Sequence, residues 1–194
     1  TAAIQKAVDA AVSGGGGEVF FPPGFYVTTA AITITKGIVL AGSGIGHATG
    51  AGNSGGTVIR NSAAAGDVFT ISADDSVLIR DLAIDAPAVV KAANTAGIRA
   101  QGATGSGSTN NRLRMERLRI TNMYDAVVWD TATNATIHAC HLQDYRNIGI
   151  YSKQTGGVDS GQNTIDSCVI WDLNVGTSQA CIRYDKGGDL RVVN

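Results

Sequence analysis

Apolar and polar residues alternate in short stretches along most of this chain, and the stretches repeat. Four segments share one arrangement: VLIRDLAIDA from Val77, LRMERLRITN from Leu113, ATIHACHLQD from Ala135 and NTIDSCVIWD from Asn163. In each, an apolar residue is followed after two intervening positions by a second, and after one more by a third. Ile79, Met115, Ile137 and Ile165 align first; Leu82, Leu118, Cys140 and Cys168 second; Ile84, Ile120, Leu142 and Ile170 third. The first positions lie 36, 22 and 28 residues apart, so a constant core is separated by loops of varying length. Alternation over so few residues predicts strands, and self-similarity at this spacing predicts a solenoid.

A second strand returns in each interval: AGIRAQ at 96, DAVVWDT at 125, NIGIYSK at 147 and ACIRYDK at 180. Aligning Ile98, Val128, Ile150 and Ile182 as inward positions gives steps of 30, 22 and 32, which roughly track the first set. Helical repeats need longer amphipathic stretches and propeller blades need four longer strands. The pattern therefore predicts an all-β fold, a single-stranded parallel β-helix. Corresponding positions in successive coils would stack about 4.8 Å apart, placing Cys140 and Cys168 in one interior column. Free cysteine is among the most buried residue types, so both are read first as small apolar plugs, at a separation that also suits a disulfide.

One segment departs from this rhythm. In TAAIQKAVDAAV the residues Ile4, Ala7, Val8, Ala11 and Val12 recur on one helical face. Four glycines, Gly14 to Gly17, then end the helix. The apolar run from Val19 follows at once, so the glycines are not a linker between two cores. A phosphate-binding loop requires the order strand, glycines, helix, and here the order is reversed. The organisation predicted is one domain over 1–194, with a capping helix at 1–13 and coils over 18–194.

Composition narrows the functional classes. Fifteen basic and sixteen acidic residues leave a net charge of −1, without the basic footprint that drives nucleic-acid or acidic-membrane binding. No apolar run approaches the ~20 residues of a membrane-spanning helix, and no signal-peptide pattern occurs. The three cysteines lack zinc-type spacing. His47 lies in a glycine-rich loop, and His138 and His141 flank Cys140 on a predicted strand and turn, where they form no coherent metal site.

Residues 1 to about 44, TAAIQKAVDAAVSGGGGEVFFPPGFYVTTAAITITKGIVLAGSG, resemble the opening of the pectate-lyase superfamily of right-handed β-helices, which includes phage tailspikes and polysaccharide lyases. In that family an amphipathic helix caps the coil stack, a glycine turn follows, and a strand like VFFPPGFY enters the first coil. The resemblance implies a right-handed helix, a polysaccharide partner, an extracellular or virion location and, for tailspikes, a homotrimer. Calcium serves some relatives and needs clustered carboxylates and carbonyls; the sequence indicates no cofactor. Coils of the family normally continue past GGDLRVVN, so the chain is expected to be a fragment. The Asn-Thr-Asp, Gly-His-Gly and Arg-Ile-Lys motifs of polygalacturonases are absent, as is the Asp-Pro-His-Glu element of mannuronan epimerases. Asp74-Asp75 reads as a turn.

Strand alternation then supplies a candidate face. With Ile98, Val128, Ile150 and Ile182 inward, Arg99, Trp129, Tyr151 and Arg183 point outward in one column, followed by Gln101, Thr131, Lys153 and Asp185. Aromatic rings can cover sugar rings while charges and amides bind hydroxyls or carboxylates, so Arg99, Trp129 and Tyr151 are the expected substrate-binding residues. Asp185, Lys153 and Arg183 are the expected catalytic ones. A hydrolase needs two carboxyls about 5 to 9.5 Å apart; a lyase needs a base and cations around a uronate α-proton. The competing reading packs Trp129 and Tyr151 beneath loops or another subunit, and makes Lys153 with Asp185 a weak surface pair. Asn122, Asp144 and Asp172 align as turn residues that satisfy backbone groups. Three readings stay open: a tailspike or tail-fibre segment that binds and cleaves bacterial surface polysaccharide, a free polysaccharide lyase or glycoside hydrolase acting on acidic, pectin-like polysaccharide, and a noncatalytic structural β-helix.

Overall fold

The computed structural model describes residues 1–194 except 47, 50, 51, 54, 74, 87–91, 102–111, 131, 154–160, 173–177 and 186–187, with backbone alone at 48, 49, 52 and 53. His47, Asp74 and Thr131 thus lie outside the described residues.

Three ladders of parallel strands wind around one interior. The first runs through Glu18–Phe21, Val39–Gly42, Val77–Asp85, Leu113–Thr121, Thr136–His138, Asn163–Asp166 and Leu190–Val193. The second pairs Gly24–Thr28 with Thr57–Asn61, and continues through the later halves of Val77–Asp85 and Leu113–Thr121 to His141–Gln143 and Val169–Trp171. The third stacks Ile32–Ile34, Phe69–Ile71, Ala96–Gln101, Asp125–Asp130, Ile148–Lys153 and Ala180–Tyr184. The chain is a right-handed parallel β-helix with an N-terminal helix.

The interior follows the alternation. Ile79 pairs in register with Met115, Met115 with Ile137 and Ile137 with Ile165, while Ile84, Ile120, Leu142 and Ile170 stack one ladder over. Most of these side chains are fully buried, each contributing about 1.5–3 kcal/mol of transfer free energy. Corners are set by left-handed backbone. Asp81, Arg117, Ala139 and Ser167 (φ 57, 48, 52 and 52°) turn the chain from the first ladder to the second in successive coils. Asn122 and Asp144 (φ 60 and 55°) turn it onward from the second, a conformation Asn and Asp tolerate best among residues with a side chain.

The helix Ala2–Ser13 closes one end. Val8 is buried, and Ile4, Ala11 and Val12 pack on the core. Gln5 adds a second device: its Nε2 donates to Thr33 O and its Oε1 accepts from Thr33 N, both at 2.9 Å. One side-chain amide thereby imitates a neighbouring strand on the terminal strand of the third ladder, and such edges are otherwise templates for association. Gly15, Gly16 and Gly17 (φ 85, 126 and 130°) carry the chain from helix to strand through backbone that only glycine adopts readily. At the opposite end, Val169, Trp171 and Val192 are exposed.

Candidate functional site on the outer face of the third ladder

Register on the third ladder decides which side chains face out. Ile98 pairs with Val127, Val127 with Ile150 and Ile150 with Ile182, so the inward residue of Asp125–Asp130 is Val127, not Val128. The outward column is therefore Arg99, Val128, Tyr151 and Arg183, of which Val128 is fully covered. Trp129 pairs with Ala100 and Ser152 and belongs to the core, 0% exposed. Its expected role on a ligand face is overturned, because a one-residue slip moves a side chain to the other side of a strand. Among the described residues its buried indole Nε1 has no hydrogen-bond partner.

The slip has a physical source. Asp125-Ala126-Val127-Val128-Trp129 offers apolar residues at four successive positions, so alternation alone does not fix the register. Small residues do: Gly97, Ala126, Gly149 and Cys181 each immediately precede an aligned core residue. A Cβ on Gly97 would lie 2.7 Å from Ala126 O, and one on Gly149 2.6 Å from Cys181 O.

Four of the six expected site residues come together. Tyr151 Oη donates to Asp185 Oδ2 at 2.6 Å, and Arg183 Nε donates to Asp185 Oδ1 at 2.7 Å. The Arg183 guanidinium carbon sits 5.2 Å from the Tyr151 ring centroid and Lys153 Nζ 5.9 Å, within cation–π range. Lys153 also reaches Asp130 Oδ2 at 3.5 Å, and Arg183 Nη1 donates to Gln179 Oε1 at 3.3 Å. The Arg183 guanidinium, then Tyr151, holds the Asp185 carboxyl below its usual range. That carboxylate in turn pushes the Tyr151 phenol up, keeping it protonated. The cluster thus presents a proton donor against an ionised acceptor, with two cations over one aromatic ring.

Arg99 is engaged elsewhere. Its Nε donates to Asp67 Oδ2 at 2.7 Å and its Nη2 to Asp67 Oδ1 at 3.2 Å and Asn94 O at 2.6 Å, while Ala96 N donates to Asp67 Oδ1 at 2.7 Å. With both side chains 12% exposed, this fork ties two coils together and is not presented to a ligand.

Asp130, Gln179 and Asp125 were not singled out from the sequence. Asp125 lies beneath the face, 3% exposed, with Oδ1 accepting from Asn147 Nδ2 at 2.7 Å and Ile148 N at 3.2 Å. Burial pushes its carboxyl up, partly offset by these donors and by the charges of Arg99 and Lys153. The sequence reading begins the strand DAVVWDT at this position, and a charged first residue of a strand carries no signal of burial.

Two further polar groups tie neighbouring coils together. Asn122 Nδ2 donates to Asp85 Oδ1 at 2.9 Å, joining Thr121 and Arg60 around that buried carboxylate. His138 Nδ1 lies 2.8 Å from Asp166 Oδ2 on the first ladder. Among the described residues no group of three or more His, Cys, Asp or Glu side chains could hold a metal ion. Nor is any described helix long and apolar enough to cross a membrane.

Stacked parallel ladders, positive-φ corners and a capping helix define a β-helix protein of the pectate-lyase type. The chain belongs to the family described as rhamnogalacturonase A/epimerase, pectate lyase-like, whose model matches residues 1–182. Among solved structures it is similar to the A-module of the mannuronan C-5 epimerase AlgE4 from Azotobacter vinelandii, with TM-score 0.66 and 21% identity over 88% of this chain and 46% of that one. It is also similar to tailspike protein gp49 of Acinetobacter baumannii bacteriophage Fri1, a capsular polysaccharide depolymerase, with TM-score 0.65 and 15% identity over 99% of this chain and 37% of that one. ORF18 of Geobacillus virus E2 gives TM-score 0.59 and 22% identity over 100% of this chain and 44% of that one. The chain spans less than half the length of each. No curated protein matches it.

Proposed function

We propose that the chain is the carbohydrate-recognising β-helix of a phage tailspike or tail-fibre protein, engaging bacterial surface polysaccharide on the outer face of the third ladder and cleaving it there. The observation that carries this reading is Tyr151 with Lys153 and Arg183 both within cation–π range of its ring and its hydroxyl on Asp185. A sugar ring laid on this face meets an aromatic surface, two cations suited to carboxylates or hydroxyls, and an ionised acceptor. In this reading Asp185 accepts a proton or orients water, and Lys153 and Arg183 stabilise developing negative charge. Tyr151 holds the ring and can donate its proton to a leaving oxygen. Arg99 contributes by holding the coils in place. The tailspike and virus-encoded neighbours support a virion location. The proposal includes assembly as a homotrimer, which sedimentation analysis reads directly.

The family description favours one alternative, a free bacterial enzyme acting on acidic polysaccharide. Incubation with a panel of acidic and neutral bacterial polysaccharides separates the chemistries: unsaturated uronate absorbance reports a lyase, and reducing ends without it report a hydrolase. Cleavage of capsular or surface polysaccharide but not of pectin supports the tailspike reading, and the reverse supports the free enzyme. Absence of both cleavage and binding across the panel would leave only a structural β-helix.

A further inference from the structure

The outer face of the third ladder is rich in charge and balanced in sign. Among the described residues three cations stand at outward positions on the strands from Ala96–Gln101 to Ala180–Tyr184, namely Arg99, Lys153 and Arg183. Each has a carboxylate of its own: Arg99 Nε lies 2.7 Å from Asp67 Oδ2, Lys153 Nζ 3.5 Å from Asp130 Oδ2 and Arg183 Nε 2.7 Å from Asp185 Oδ1. A fourth carboxyl group, Asp125, lies beneath the same face.

Register builds this pairing in. Asp130 pairs with Lys153 across adjacent coils, and Asp185, which follows Tyr184 in the next coil and donates its N–H to Ser152 O at 3.0 Å, continues the column. Lys153 therefore stands between two acids at coil steps of about 4.8 Å. A polyanion is drawn by an excess of positive charge; here the paired groups cancel, and the whole chain carries −1. A uronate carboxylate laid over Tyr151 would also meet Asp185, whose Oδ2 accepts from the Tyr151 hydroxyl at 2.6 Å. It would have to take Lys153 or Arg183 from a partner that each already holds. Sugar hydroxyls face no such conflict. The Asp185 carboxylate accepts from O–H donors, the Tyr151 ring can cover C–H faces, and Gln179, whose Oε1 accepts from Arg183 Nη1 at 3.3 Å, adds an amide donor.

We propose that this face selects neutral glycan, built of hexose or deoxyhexose units without carboxylate, sulfate or phosphate, and discriminates against polyuronates; the inference rests on the reading of the face as a polysaccharide site. The substrate class fixes the chemistry. Elimination needs a carboxylate beside the C–H that is deprotonated, which a uronate has and a neutral hexose lacks. Cleavage on this face is then hydrolytic: water adds across the glycosidic bond, its hydroxyl going to the anomeric carbon and its other proton to the leaving oxygen.

Carboxyl reduction converts an acidic polysaccharide into a neutral one with the same linkages, so the two forms differ in charge at otherwise matched units. Calorimetric titration of the chain with acidic bacterial surface polysaccharides, their carboxyl-reduced forms and neutral bacterial surface polysaccharides tests the inference. Binding should reside in the neutral and reduced forms and be lost in Tyr151→Ala. Its affinity should stay within about twofold as ionic strength rises from about 0.01 to 1 M and the screening length falls from about 30 to 3 Å. Asp130→Asn, which removes the carboxylate beside Lys153, should make the unreduced acidic form bind about fivefold tighter at low salt, the upper worth of an exposed ion pair. Tighter binding of an acidic form than of its reduced counterpart, weakened by salt and lost in Tyr151→Ala, would overturn the inference and leave the polysaccharide site standing. Binding of no form, or binding that survives Tyr151→Ala, would overturn both.

Discussion

Tyr151 and Asp185, 34 residues apart in sequence and one coil apart in space, share a 2.6 Å hydrogen bond on the outer face of the third ladder. The bond holds the phenol up, while the carboxyl is lowered by Arg183 first and by this bond second. Asp185→Asn removes the negative charge and the strong acceptor, so the Tyr151 phenol should titrate at lower pH than in the wild type. Ultraviolet difference titration against a Tyr151→Phe reference resolves it. An unchanged midpoint would mean that the pair does not persist in solution.

The corrected register of Asp125–Asp130 is open to spectroscopy. Trp129 is fully buried whereas Trp171 is 39% exposed. In Trp171→Phe the remaining emission should be blue-shifted and resistant to acrylamide, and in Trp129→Phe red-shifted and readily quenched. Equal quenching of the two variants would contradict the placement of Trp129.

Gly149 tests why the small-residue column exists. A methyl group there would come within 2.6 Å of both Cys181 O and Ile170 Cγ2. Because the backbone carbonyl cannot yield without disturbing the next coil, Gly149→Ala should lose about 1–3 kcal/mol in urea unfolding. Loss below that range would show that the coil spacing relaxes at little cost.

Much of this architecture is legible in sequence because a stacked solenoid writes the same alternation in every coil. The columns through Ile79 and Ile84 are read correctly because most members stand between polar residues, as Met115 does between Arg114 and Glu116 and Leu142 between His141 and Gln143. Reading fails where that contrast disappears, in the Ala126 to Trp129 run, and the slip exchanges Trp129 for Val128 on the outer face. Tyr151, Lys153, Arg183 and Asp185 come together because Ile150 and Ile182 each stand between a small residue and a polar one, Gly149 and Tyr151 in one coil and Cys181 and Arg183 in the next, which fixes their register. That the Arg99 guanidinium is occupied by Asp67 was not legible, since the two lie 32 residues apart and only loop geometry brings them together.

Asp125 links the face to stability. Its folded carboxyl is raised by burial above the unfolded value of about 3.9. Below both values the group is protonated in either state and contributes nothing to the pH dependence. As pH climbs through the window between them the unfolded state releases its proton first, so the wild type loses stability there, and the loss persists above the folded value. Asp125→Asn can keep an oxygen facing Asn147 and Ile148. Its stability should match the wild type most closely near about pH 3 and gain on it toward about pH 7. Asp81, Asp166 and Asp185, all lowered, act in the opposite sense but equally in both proteins. A constant difference across that range would contradict the buried carboxylate.

The central claim is that polysaccharide is recognised on the face centred on Tyr151. Calorimetric titration of the chain and of Tyr151→Ala with the polysaccharide that binds best in a panel of bacterial surface glycans tests it most directly. Losing the stacked aromatic surface and its anchoring of Asp185 should weaken binding at least about tenfold, or 1.4 kcal/mol, with the melting temperature little changed. Equal affinity for the two proteins would place recognition elsewhere on the solenoid.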